Sequence, residues 1–244
     1  MRLLLLSILT FISFAGNTQN LLVPSKKSFD KKWIKNSGYQ MTWYLLKDTA
    51  KTEIGKVTTQ ISVNKKNLTV ITQVSIKNIK NTWIDSTVAD VKTLKPIRHS
   101  SYNTQRDMVL NFGNVVTGFY NDKIKKTYEI INDTTTVEYF DSNLYPVLIG
   151  WLPFRDGYSQ DISIYDYNPS GKIGTLKASI KNVSSGTCQT DKNGIRKVWI
   201  VTVTDEIGSD KNNVNTYYFD KTDRKLWKQE LDANGRKMMM KLVE

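Results

Sequence analysis

Cys188 is the only cysteine and His99 the only histidine of the chain. One thiol closes no intramolecular disulfide, so this is not a small disulfide-stapled domain, and at 244 residues it needs no staple. Between Gly186 and Asp191, Cys188 reads as a partly buried small residue rather than a reactive thiol. One histidine with one cysteine builds no structural zinc site, and no D-x-D-x-D-G loop is present to hold calcium. His99 lies in RHSSYNT, beside Ser100 and Ser101, with no G-x-S-x-G elbow elsewhere, so a surface or strand histidine is expected. Carboxylates such as Asp205 and Glu206, just ahead of Gly208, read as solvated strand edge. No cofactor is implied and no enzyme is expected, although a glycosidase needs only two carboxylates far apart in sequence.

Pro-rich and Ser-rich linkers, composition breaks and internal repeats are also missing, which predicts one domain over 38–244 behind a lead-in at 16–37. The lead-in carries a weak signal for a short helix near Lys26 to Lys35. The longest apolar run, LLLLSILTFISF, is too short to span a bilayer comfortably. It follows Met1-Arg2 and ends in small residues, with Ser13 and Ala15 at the minus-three and minus-one places of a signal-peptide cleavage site. A leader over 1–15 is therefore expected, and with no cysteine there to carry acyl chains, the mature protein is expected in the periplasm or secreted.

What the chain has in excess is positive charge: 35 Lys and Arg against 23 Asp and Glu, a formal net charge of +12. The lysines are spread in pairs such as Lys65-Lys66 and Lys125-Lys126, without a dense basic block or an aromatic RNA-binding motif, so nucleic acid is not expected. For an exported protein the matching partners are an anionic membrane surface, lipopolysaccharide or acidic glycans; a lysine-rich surface also serves solubility alone. No protein partner can be named.

From Gly38 to Phe140 apolar and polar residues alternate with period two, in GYQMTWYLLK, KVTTQISV, LTVITQVSI, TWIDSTVADV, RHSSYNT, DMVLNFG, VVTGFYND, KKTYEII and TTTVEYF. The pattern resumes with QDISIYDY, TLKASIKNV, RKVWIVTVTDE, VNTYYFD, KLWKQEL and KMMMKLV, broken by turn sequences such as Asn64-Lys-Lys-Asn67 and Asp232-Ala-Asn-Gly235. One apolar stretch interrupts it, Asp141 to Tyr158, where Leu144, Val147, Leu148 and Trp151 recur at helical spacing behind Ser142 as a cap. A helix of about three turns is expected over 142–151, packed on the sheet as core or as lid.

Three stretches resemble one family. Asp90-Val-Lys-Thr93-Leu94-Lys-Pro96 is similar to its aspartate, threonine-leucine, proline corner; Asp141-Ser142 through Leu152-Pro153 and Gly157 to its helix and exit; YYFDKTDRKLWKQELDANGRKMMMKL to its last hairpins. The family is an uncharacterised group of exported bacterial envelope proteins, domain of unknown function 3108, similar in fold to the lipoprotein carriers LolA and LolB. The resemblance implies a mainly β fold: a strongly curved antiparallel sheet, an incomplete LolA-like barrel, with one helix on or across its concave face. In the carriers that concavity holds acyl chains; here no arginine matches a lipoprotein-handling role. The aromatics either fill the core or line a pocket for a lipid or another apolar molecule. The candidate lining is Trp43, Trp83, Phe112, Leu148, Trp151, Phe154, Trp199, Phe219 and Trp227, with no metal. The competing expectation is an interaction module for protein or glycan whose core is filled.

Overall fold

The computed structural model describes residues 21–208 and 213–244, so the leader and its cleavage after Ala15 lie outside the described residues. Fifteen strands form one sheet: β1 Ser37–Lys47, β2 Ala50–Val63, β3 Asn67–Ile76, β4 Trp83–Asp90, β5 Pro96–Tyr102, β6 Arg106–Asn111, β7 Val115–Asp122, β8 Thr127–Thr134, β9 Phe140–Asp141, β10 Gln160–Tyr167, β11 Ile173–Gln189, β12 Ile195–Asp205, β13 Asn213–Asp220, β14 Leu226–Ala233 and β15 Arg236–Leu242. The order is β8-β7-β6-β5-β4-β3-β2-β1-β15-β14-β13-β12-β11-β10-β9. Neighbours pair antiparallel except β9 with β10, which is parallel. The meander thus runs outward from β1 in one direction and back from β15 in the other, joined by the β1–β15 ladder.

Period two explains which face is buried. The register sets Met41 opposite Val57, Val57 opposite Val74 and Ile61 opposite Val70, so alternate side chains of β1 to β3 share the inner face. That face carries the main core, with Leu68, Val70, Ala89, Ile164, Val201, Val203 and Tyr217 buried.

The turns follow local chemistry. Asn64 Oδ1 accepts the amides of Lys66 and Asn67 at 2.9 and 2.8 Å, and Asn234-Gly235 takes positive φ at both places of its two-residue hairpin. Three corners share one plan. Asp90 accepts the amides of Lys92 and Thr93, Asp122 those of Ile124 and Lys125, Asp220 that of Thr222. The residue four places after each aspartate is left-handed: Leu94 at φ 61, Lys126 at φ 56, Arg224 at φ 63. An L-residue there costs about 1 kcal/mol, which the aspartate's hydrogen bonds help to offset.

The helix is shorter than the spacing suggests. α1 spans Tyr145–Gly150, less than two turns, and Ser142 does not cap it: the Ser142 hydroxyl donates instead to Asp166 at 2.8 Å. Pro146 at the second helical position and the turn at Leu144, itself pinned by its amide to the Asp141 carbonyl, delay the start. TTTVEYF is not a strand; only Phe140 of it enters the two-residue β9. Among its described residues the lead-in holds no α-helix but two 3₁₀ turns, Pro24–Lys26 and Lys31–Trp33. Strand β11 runs 17 residues, through Ser184 to Gln189, beyond the expected TLKASIKNV.

The sheet curves until its two ends meet, yet among the described residues no ladder closes it. Side chains form the seam: the Tyr165 hydroxyl of β10 donates to Asp133 of β8 at 2.9 Å, and Tyr167 donates to Glu129 at 3.2 Å. Behind them Phe112, Tyr139 and Tyr165 lie 5.1 to 5.8 Å apart by ring centre, over buried Met108, Val116 and Ile131. Among the described residues no helix is long and apolar enough to cross a membrane.

Candidate functional site

Inside the curve, β9 is bolted to β4 and β5. His99 Nδ1 lies 3.0 and 2.9 Å from the two oxygens of Asp141, and the Thr87 hydroxyl donates to the same carboxylate. Asn143 donates to Thr87 at 3.0 Å. His99, Asp141 and Thr87 are all buried: of the surface or strand histidine expected, the strand holds, in β5, and the surface does not. Nε2 of His99 makes no hydrogen bond and faces Asp85 Oδ1 at 4.0 Å. Burial alone would push this imidazolium down, but Asp141, with Asp85 and Asp166 nearby, more than offsets it and holds His99 above its ordinary range. An aspartate behind an imidazole is catalytic geometry only where substrate can arrive, and His99 lines none of the three cavities described below. Among the described residues no cluster of three or more His, Cys, Asp or Glu could hold a metal ion.

A second polar tie fixes the helix. The Tyr145 hydroxyl donates to Asp205 at 2.5 Å, Asn215 donates to the same carboxylate at 3.2 Å, and Gln229 donates to Asn215 at 2.9 Å. Asp205 is therefore not the solvated edge that its place beside Glu206 suggests. It is buried, and desolvation raises its carboxyl above the ordinary range. Leu144, Tyr145, Leu148 and Ile149 are buried beneath α1, and a Cβ at Gly150 would sit 2.9 Å from the Phe219 ring. The inner side of the helix is core.

Its outer side faces a cavity of about 660 Å³, at the end of the barrel where β1 begins and the β13–β14 corner lies. Trp33, Tyr39, Val147, Trp151, Phe219 and Trp227 give it apolar walls. Lys35, Lys192, Arg224 and Lys225 bring positive charge to the same walls, against Asp223 and Glu244. Glu244 is already engaged: against desolvation, the Asn193 side chain and the backbone amides of Asp191, Lys192 and Asn193 donate to its carboxylate and pull it down to about 2. Arg224 is differently placed. Its guanidinium lies 4.3 Å from the Phe154 ring centre and 5.4 Å from that of Trp33, and Nε and Nη1 are buried without a hydrogen-bond partner. Only Nη2 donates, to the Leu152 carbonyl at 3.4 Å. Desolvation lowers Arg224 to about 10, against a small opposing pull from Asp30.

The aromatic set read from the sequence divides among several places. Trp151, Phe219 and Trp227 line the large cavity. Trp43 and Trp83 line a separate apolar one of about 230 Å³ with Val57, Leu231 and Met238, and Phe112 a third of about 180 Å³ beside Tyr139. Leu148 and Phe154 are buried in the main core, with Trp199 packed partly buried against it. Trp33 and Arg224 escaped the sequence reading. Trp33 sits in a 3₁₀ turn with no periodicity, and a charged residue in a turn reads as solvated. The available signal was the match of DKTDR to DVKTL, whose last residue, Leu94, is fully buried.

Residues 38–241 match the profile of a family described as protein of unknown function (DUF3108), and the chain belongs to that family. Among solved structures, a β-barrel-like protein of domain of unknown function DUF1849 from Brucella abortus is similar in fold, with a TM-score of 0.51 and 10% identity. The alignment covers 86% of this chain and 97% of that one. No curated protein matches. None of these comparisons indicates an enzyme family.

Proposed function

We propose that this member of an uncharacterised family is a non-enzymatic, exported binding protein, and that the 660 Å³ cavity takes an amphipathic anion, an apolar body carrying a carboxylate or phosphate. The volume lies within the range of small-molecule sites. The observation that carries the reading is Arg224: a guanidinium with two buried, unpartnered N–H-bearing nitrogens at the wall of an aromatic cavity. Burying an unpaired charge is costly, and an anionic head group at that wall would bring the counter-charge that the guanidinium lacks. The test is displacement of a fluorescent fatty acid by a long-chain fatty acid and by the matching alcohol. Arg224→Met should weaken the acid roughly ten- to a hundredfold, the worth of a hydrogen bond to a charged group, and leave the alcohol nearly unchanged. Equal loss of both, or binding of neither by the wild type, would refute the reading. Lipid analysis of protein purified from its native envelope then identifies the occupant.

A further inference from the structure

The end of the barrel opposite the cavity has its own surface chemistry. Consecutive antiparallel strands place the β3–β4, β5–β6 and β7–β8 turns together at that end, away from the β13–β14 corner and Arg224. Among the described residues, eight of the fourteen exposed large hydrophobic side chains lie within four residues of these three turns, which a random scatter would not produce. Ile79 is 51% exposed, Ile124 71% and Ile130 75%, with Trp83 and Tyr128 beside them. The sequences are IKNIKNTWI over 76–84 and KIKKTYEI over 123–130, aliphatic and aromatic residues interleaved with lysine. Lys77, Lys123 and Lys125 are balanced by Glu53, Asp107 and Asp122, whereas among the described residues Lys80 and Lys126 make no ion pair. Trp83 also forms a wall of the 230 Å³ cavity, whose lining is almost wholly apolar.

We infer that these hairpin tips dock the protein on an anionic phospholipid surface, the isoleucines and Trp83 entering the headgroup boundary and Lys80 and Lys126 meeting lipid phosphates. Aliphatic side chains with a tryptophan and lysines that can reach sideways are the composition of an interfacial anchor. A protein partner would cover the isoleucines equally well, but an interface core is depleted in lysine, and here unpaired lysines stand among the apolar side chains. The positive charge fits one kind of surface, and its attraction weakens with salt.

Flotation with vesicles of phosphatidylcholine alone or with about one third phosphatidylglycerol tests this, a composition chosen to bring surface charge into the range where basic tips respond. Wild type should float with the mixed vesicles and not with the neutral ones. Ile79→Ser with Ile124→Ser, and separately Lys80→Glu with Lys126→Glu, should each lower binding at least tenfold while melting as wild type, since all four positions are exposed. Tryptophan emission should shift to the blue on binding, and Trp83→Phe should remove most of that shift. Arg224→Met should float as wild type, so failure at the tips and failure at the cavity are read separately. No preference for phosphatidylglycerol, or tip variants that bind undiminished, or self-association that the tip variants abolish without any vesicle binding, would overturn the inference.

Discussion

His99 holds three strands together through one ring. Its Nδ1 binds Asp141 of β9, whose carboxylate also takes the Thr87 hydroxyl of β4, while Nε2 faces Asp85. Replacing His99 with glutamine leaves the Asp141 carboxylate buried without its cation, which should cost about 3 to 5 kcal/mol in urea unfolding. The pH dependence has a definite sign. Because the folded state raises the imidazole, its contribution is complete below the unfolded value of 6.5 and is lost as pH rises through the higher folded value. Wild-type stability measured from pH 5 to 9 should therefore fall across the upper part of that range, and His99→Gln should flatten the slope. Asp166, raised by burial, acts in the same sense from lower pH, so a slope wholly unchanged by His99→Gln would mean that the histidine stays neutral. None of this was legible from RHSSYNT. The alternation shows that His99 lies in a strand, but only the folded register reveals that its face meets β9.

Helix α1 answers at the element scale the question its apolar sequence raises. A lid opens, so its inward residues tolerate truncation; Leu148 is fully buried with Ile149 beside it and Tyr145 tied to Asp205. Leu148→Ala should cost about 2 to 5 kcal/mol and lower the melting temperature accordingly. Tyr145→Phe should cost about 1 to 3 kcal/mol by leaving Asp205 short of a donor. Val147→Ala, on the cavity side, should instead change ligand affinity with little loss of stability. The strand pattern was legible because period two survives in almost every segment, β7 and β10 matching residue for residue. The helix length was not, since a proline at its second position and a carbonyl-bound turn before it are local competitions that helical spacing does not display. The corners divide in the same way. Lys126, exposed and left-handed at φ 56, should gain up to about 1 kcal/mol when changed to glycine, whereas Leu94→Gly should lose stability because a buried side chain outweighs the relieved backbone.

For the whole molecule the sequence announces strands without announcing curvature. Which faces converge is decided by how fifteen strands twist and by where the sheet ends meet, and period two carries neither. That is why aromatics equivalent in the sequence separate into a core, a large cavity and two smaller ones. The seam makes its own prediction. Tyr165→Phe with Tyr167→Phe removes both hydroxyl contacts across it, and hydrogen exchange should rise in β8 and β9 while β1, β2 and β15, paired on both sides, stay protected. Unaltered exchange in β8 would show that ring packing alone holds the ends together. A vessel laced shut by side chains, two hydroxyl-to-carboxylate knots with rings packed behind them, has a girth that packing and not a ladder sets. Loosening it to admit a bulkier guest forfeits contacts worth about 1 to 3 kcal/mol apiece, whereas a barrel closed by a continuous ladder must surrender a whole row of backbone bonds before it can widen at all.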